Sequence, residues 1–189
     1  MIIWLTGLSG SGKTTISSLL KDKLDEEVNK VDWYDGDRVR QELKRETDFS
    51  KHGILKNSFE LIDKINSIKE NADIIIVSLI TPFNEVREHA RKVFGEKYFE
   101  IFVKCDKKTL IERDTKGLYK KALDGEIDNL IGFSDKLPYE EPSNPDLIIE
   151  SNLISSEYAV NTILEKLKTF NIVSPNKGLF TNKSILNSD

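Results

Sequence analysis

A three-layer α/β domain, with a parallel five-stranded sheet and helices on both faces, is the fold class this sequence predicts. Three observations lead there. Short apolar runs alternate with stretches patterned at helical spacing along most of the chain. Two of those runs, "DIIIVSL" and "DLIIE", are apolar without alternation, as strands covered on both faces must be. The segments that carry recognisable chemistry fall just after strands, where open parallel sheets place their ligands.

In chain order, residues 2–6 form the first strand, rich in β-branched and aromatic side chains. A helix follows from residue 12 to about residue 28, then a second strand over 31–34. The next helix is expected over 56–70, where Leu55, Phe59, Ile62, Ile65 and Ile68 make one apolar stripe. Strand three covers 73–79, a helix 84–94, strand four 99–103, a helix 107–114, strand five 147–149, and a last helix 156–170. Strand and helix taking turns imply right-handed crossovers and hence the parallel sheet. Residues 117–145 break the rhythm: Gly117, Gly125, Gly132, Pro138 and Pro142 punctuate a mixed-charge stretch of little periodicity. A segment of that length inside one domain is usually an active-site lid, set here at about 115–145. The domain is taken as 1–170, and the Asn/Ser/Lys-rich tail 171–189 as a surface appendage.

At 189 residues, with 38% hydrophobic and 32% charged, the chain reads as one soluble globular domain. A net charge of -4 argues against gripping a nucleic-acid polymer, while a single nucleotide needs only a local positive pocket. Cys105 is the one cysteine, which excludes an internal disulfide and a cysteine-built zinc site and fits a reducing cytoplasm. The opening "MIIWLTGLSGS" lacks the basic lead-in of a signal peptide, and no run approaches a membrane span, so a cytoplasmic, membrane-free protein is expected. His52 and His89 have no metal-like partners, and His89 is read as a helix-surface residue.

Gly7-Leu8-Ser9-Gly10-Ser11-Gly12-Lys13-Thr14 matches G-x-x-x-x-G-K-[ST] at every fixed position. The glycines let successive amides turn inward around phosphate oxygens, and the following helix adds its positive amino end. Lys13 would reach the β- and γ-phosphates of ATP, and the Thr14 hydroxyl would ligate Mg²⁺. Gly10, Ser11, Gly12, Lys13, Thr14 and Thr15 are thus the expected ATP-binding set, in a P-loop NTPase fold. The embedded Gly10-x-Gly12 does not make a dinucleotide motif, because its third position is Thr15.

"DGD" follows strand two. There Asp35 could reach toward the metal while Asp37 accepts a proton from an incoming hydroxyl; the competing reading is a turn in which Asp37 caps a short helix over 38–44.

With these motifs, "DGDRVR", "DFS", "VSLITPF", "ERDTKGLYKKALDGEI" and "PYEEPSNPDLII" on the page, the chain resembles the adenylylsulfate (APS) kinases from residue 2 to about 149. The resemblance implies transfer of the ATP γ-phosphate to the ribose 3′-hydroxyl of adenosine 5′-phosphosulfate, with a homodimer as the expected assembly. It makes Asp37 the base and puts Asp35 near the metal. Arg40, Phe49, Asn57, Ile80 and Thr81 would line the acceptor pocket, with Phe133 stacking from the lid. Arg113 would lie against the adenine of ATP, and Lys116 would ride in the moving segment.

The chain departs from the family in that pocket. Basic residues expected at three positions are Ile54, Phe59 and Ile131 here, and an expected Ser is Thr81. Lys51, His52 and Lys56 lie close enough in sequence to substitute. The acceptor is therefore APS or a relative such as cytidine diphosphoramidate, which ends in a neutral amide of phosphate where APS has sulfate. A non-catalytic nucleotide-binding partner domain and a small-metabolite kinase are the competing classes.

Overall fold

Strand β1 (Ile2–Thr6) is buried along its whole length, which places it inside a sheet. In the computed structural model, which describes residues 1–36, 39 and 48–169, it pairs in parallel with β3 (Ile74–Ser78) on one side and β4 (Tyr98–Lys104) on the other. Strand β2 (Val31–Asp35) extends the sheet beyond β3, and β5 (Leu147–Glu150) beyond β4, giving the order β2-β3-β1-β4-β5. All four pairings are parallel, as the unalternating apolar runs require.

Alternate residues of β1 feed two cores. Ile3 and Leu5 face helices α1 (Lys13–Asp25) and α6 (Ser156–Thr169), meeting Ile16, Leu20, Val160 and Ile163. Ile2 and Trp4 face α2 (Lys51–Ile68) and α3 (Asn84–Phe94), meeting Ile62, Ile65, Val86 and Ala90. The period of two along the strand thus sorts the side chains into the outer layers.

Helix α2 begins at Lys51, not at the expected residue 56. Ser50 caps it: its hydroxyl accepts from the Gly53 amide at 3.1 Å, while Asp48 accepts from the Ser50 amide at 2.8 Å and hydroxyl at 2.9 Å. The polar first turn and Gly53 concealed this start. Gly53 is required by contact rather than by turn geometry, because a Cβ there would lie 2.4 Å from the Asp48 carbonyl oxygen. The helix ends in a 3₁₀ turn, Lys69–Asn71.

The lid also holds more structure than its composition suggests. After α4 (Lys107–Arg113), a short helix α5 (Leu118–Leu123) forms because Asp114 accepts from the amides of Tyr119 and Lys120 at 3.0 and 2.9 Å. Leu110, Tyr119 and Leu130 make a third apolar cluster, with Leu8 of the glycine-rich loop and Phe133 packed on it. Residues 138–146 are then held to α3 and β4 by charge. Arg87, 2% exposed, donates to the carbonyls of Thr81 and Glu140 and, at 2.6 Å, to Asn84 Oδ1. Its Nε faces Glu100 Oε1 at 3.4 Å, and Arg91 bridges Glu100 and Asp146 at 3.2 and 2.9 Å. Burial pushes the Glu100 carboxyl above its ordinary value, against the pull of Arg87 and Arg91. Among the described residues, no helix is long and apolar enough to cross a membrane.

Candidate active site

The glycine-rich loop bridges β1 and α1 with three positive-φ glycines: Gly7 at 152°, Gly10 at 77° and Gly12 at 94°. Gly7 also has no room for a side chain, since a Cβ would lie 2.4 Å from the Val103 carbonyl oxygen. Helix α1 starts after Gly12 with no side-chain cap, so its first-turn amides are left to an anion. Lys13 is buried, and its ammonium donates to the Leu8 carbonyl at 2.8 Å across the loop. The cation is therefore already folded back over the space that phosphates would fill.

Thr14 Oγ1 donates to Asp35 Oδ2 at 2.8 Å. The same carboxylate oxygen accepts from Ser78 Oγ at 2.9 Å, and Ser78 Oγ in turn accepts from Trp33 Nε1 at 3.1 Å. The ends of β2 and β3 and the first turn of α1 thus meet at Asp35, which is 4% exposed. Among the described residues, no cluster of three or more His, Cys, Asp or Glu could hold a metal by itself. One hydroxyl and one carboxylate beside a phosphate cradle suit Mg²⁺ held mainly by nucleotide oxygens.

The loop after β3 is fixed from inside. Thr6 Oγ1 donates to the Ile80 carbonyl at 2.7 Å and shares a 3.0 Å hydrogen bond with the Tyr139 hydroxyl. Thr81 is buried at φ 43°, and its hydroxyl accepts from Trp4 Nε1 at 3.0 Å. Its side chain is turned to the core, and the Arg87 bond to its carbonyl holds the positive φ in place.

The remaining expected residues are spread around this centre. Asp37 and Arg40 lie outside the described residues. Thr15 is exposed beside Thr14, and Asn57 is half-buried on α2. Arg113, at the end of α4, donates to the Ser151 carbonyl at 2.9 Å, and its Nη1 lies 3.7 Å from the Cys105 sulfur. Lys116 is exposed in the turn before α5. Phe133 sits edge-on to Tyr119 with centroids 6.0 Å apart and lines a cavity of about 420 Å³ within the lid. Phe49, 47% exposed, lines a different cavity of about 560 Å³ between the start of α2 and the lid. The two aromatics therefore do not frame a single slot in this structure. His89 is half-buried and edge-on to Phe59 at 5.0 Å, not a free surface residue.

Residues that sequence reasoning left without a role include Ser78, Tyr119 and Arg87. The Tyr119 hydroxyl donates to the Ser9 carbonyl at 2.8 Å, and a Cβ on Gly132 (φ 76°) would lie 2.4 Å from Leu8 Cδ2. The lid is thus seated directly on the phosphate loop. Ser78 and Tyr119 lie inside the quoted runs "VSLITPF" and "ERDTKGLYKKALDGEI", but their partners are distant in sequence.

The model of the adenylylsulphate kinase family matches residues 1–150. A probable adenylyl-sulfate kinase of Pseudomonas aeruginosa is 40% identical over 167 residues, covering 87% of this chain and 76% of that protein. The adenylyl-sulfate kinase of Halothermothrix orenii is 39% identical over 170 residues, 88% of each chain. Among solved structures, the APS kinase of Mycobacterium tuberculosis in complex with AMPPNP and APS superposes with a TM-score of 0.79 at 32% identity, over 88% of this chain and 96% of that one.

Proposed function

Since the chain belongs to the adenylylsulphate kinase family, and is thereby a phosphotransferase acting on a hydroxyl group, we propose that it moves the γ-phosphate of ATP to the ribose 3′-hydroxyl of adenylyl sulfate. The observation that carries this reading is the convergence of Lys13, Thr14 and Asp35, with the Thr14 hydroxyl 2.8 Å from the carboxylate, at the end of a loop built for phosphate. Asp37, two residues beyond Asp35, takes the proton of the 3′-hydroxyl. The oxygen bonds to the γ-phosphorus as the bond to the β–γ bridging oxygen breaks, and ADP leaves. When bound, Mg²⁺ neutralises charge developing on the phosphates; Thr14 and Asp35 are the residues that would hold it. Ser11, Lys13 and the amides of Gly10 and Gly12 grip the triphosphate. Tyr119 and Gly132 bring the lid onto the loop and exclude water, so that ATP is not simply hydrolysed. Phe49 and Asn57 belong to the acceptor side, Ile80 and Thr81 shape its floor, and Arg113 borders the adenine of ATP. A cytoplasmic location belongs to the same proposal.

One observation favours a second acceptor. Ile54, Phe59 and Ile131, where the resemblance expects cations, pack against the apolar cluster between the sheet and helices α2 and α3. A nucleotide whose terminal group presents a neutral amide in place of one sulfate oxygen, such as cytidine diphosphoramidate, would suit that loss.

ADP release measured across adenylyl sulfate, cytidine diphosphoramidate and plain nucleotides decides between them. Adenylyl sulfate is expected to give turnover. Lys13→Ala should lower the rate by about 10²–10³-fold, as the loss of one preorganised charge donor does. Asp37→Asn should cost about 10²–10⁴-fold while ATP still binds. Full turnover by Asp37→Asn removes the base, and silence with every nucleotide leaves a binding module.

A further inference from the structure

We propose that Lys51 and Lys136 are the specificity-determining cations of the acceptor site, gripping the anionic 5′ end of the nucleotide from opposite sides of one cavity. The inference rests on the kinase reading above and supplies what that reading lacks, a positive counterpart for the acceptor's anhydride.

The cavity of about 560 Å³ lies between the first turn of α2 and the stretch of lid around Asn129 to Leu137. Its volume suits one nucleotide-sized ligand. Phe49 offers an aromatic face, Lys51 and Lys136 line the cavity from helix and lid respectively, and Ser50 places the amino end of α2 in its wall.

Lys51 does not simply trail into solvent. Its ammonium stands 5.0 Å from the centroid of Phe83, a ring 1% exposed in the loop that follows β3. The charge is thereby drawn toward the carboxyl ends of the strands, where the acceptor must lie. Lys136 is tied to Asp128, but both side chains are mostly exposed, at 70% and 75%, so the pair is weak and can yield to a ligand. Asp48, a carboxylate in the wall, already accepts from the Ser50 amide and hydroxyl.

The positions expected to be basic cannot serve. Phe59 is committed to His89, and Ile54 and Ile131 to the apolar cluster. Lys51 stands one helical turn before Ile54, and Lys136 follows Ile131 within the same lid segment. The positive charge has been relocated within the pocket rather than deleted.

The test is calorimetric binding of adenylyl sulfate to the whole protein saturated with AMPPNP, in wild type, Lys51→Met, Lys136→Met and, as a control on the same helix, Lys64→Met. Each of the first two should weaken adenylyl sulfate binding about tenfold or more, the worth of a charge-assisted hydrogen bond. AMPPNP affinity and melting temperature should stay put, and Lys51→Arg should recover most of the loss. Unchanged affinity in Lys51→Met and Lys136→Met, or an equal fall in AMPPNP affinity, overturns the inference. Should wild type turn over a different nucleotide instead, the acceptor named above falls. The lysines are then judged by the KM of that nucleotide: a rise with kcat kept sustains them, and no change removes them. A protein that turns over no nucleotide loses both.

Discussion

The two halves of the site are built to different standards. On the phosphate side, Ser11, Lys13, Asp35 and Ser78 are all buried, and the last three are joined to named partners through short hydrogen bonds. On the acceptor side, Phe49 is 47% exposed, and Lys51 and Lys136 reach into an open cavity from a helix end and a lid. Triphosphate geometry is the same for every kinase of this kind, so its cradle can be rigid. The acceptor's identity varies, and its contacts sit where substitution disturbs little packing.

The sharpest way to break that contrast is Arg87→Met. Beneath the adaptable lid lies a root as buried as the phosphate loop, and removing Arg87 leaves Glu100 facing a buried gap while freeing the Thr81 and Glu140 carbonyls. A loss of about 3–5 kcal/mol is expected, read from urea denaturation. A loss below about 1 kcal/mol would show that the ion network adds little beyond packing. Tyr119→Phe probes the seam between the halves, since its hydroxyl ties the lid to Ser9. About 1 kcal/mol, or some two to four degrees of melting temperature, should disappear. Burial raises that hydroxyl's pKa to about 12, so the tie persists through the neutral range.

The smallest effect belongs to the cap at the cavity's edge. The Ser50 backbone and hydroxyl hold the Asp48 carboxyl below its ordinary value of 3.8. A depressed folded value means that the contribution is complete above 3.8 and fades as pH falls through the folded value. Asp48→Asn should therefore be slightly less stable at neutral pH and lose less on acidification, as thermal melts across the acidic range would register. Parallel acid profiles would rule out a role for the ionised carboxylate.

How much of this could be read from the chain depended on distance along it. The glycine-rich loop is a contiguous code, and the five strands announce themselves as short runs rich in apolar, β-branched and aromatic residues, so both were legible. The start of α2 was obscured because Lys51, His52 and Gly53 carry no apolar periodicity, although the Ser50 cap was there to be found. The order inside the lid was not legible. Helix α5 is six residues long and depends on Asp114, and Tyr119 meets Ser9 across 110 positions of sequence. The Arg87 network joins α3, β4 and the segment before β5, a meeting that no local pattern encodes. For Asp37 and Arg40 the reading still stands on sequence alone, since both lie outside the described residues.

The chain has two tryptophans, and each indole N–H ends on a hydroxyl beside the site: Trp4 on Thr81, Trp33 on the Ser78 that also binds Asp35. Ultraviolet emission from this protein is consequently a native reporter of its catalytic loops. A spectral shift on adding nucleotide would come from those two strand ends, with no dye attached and no label to disturb them.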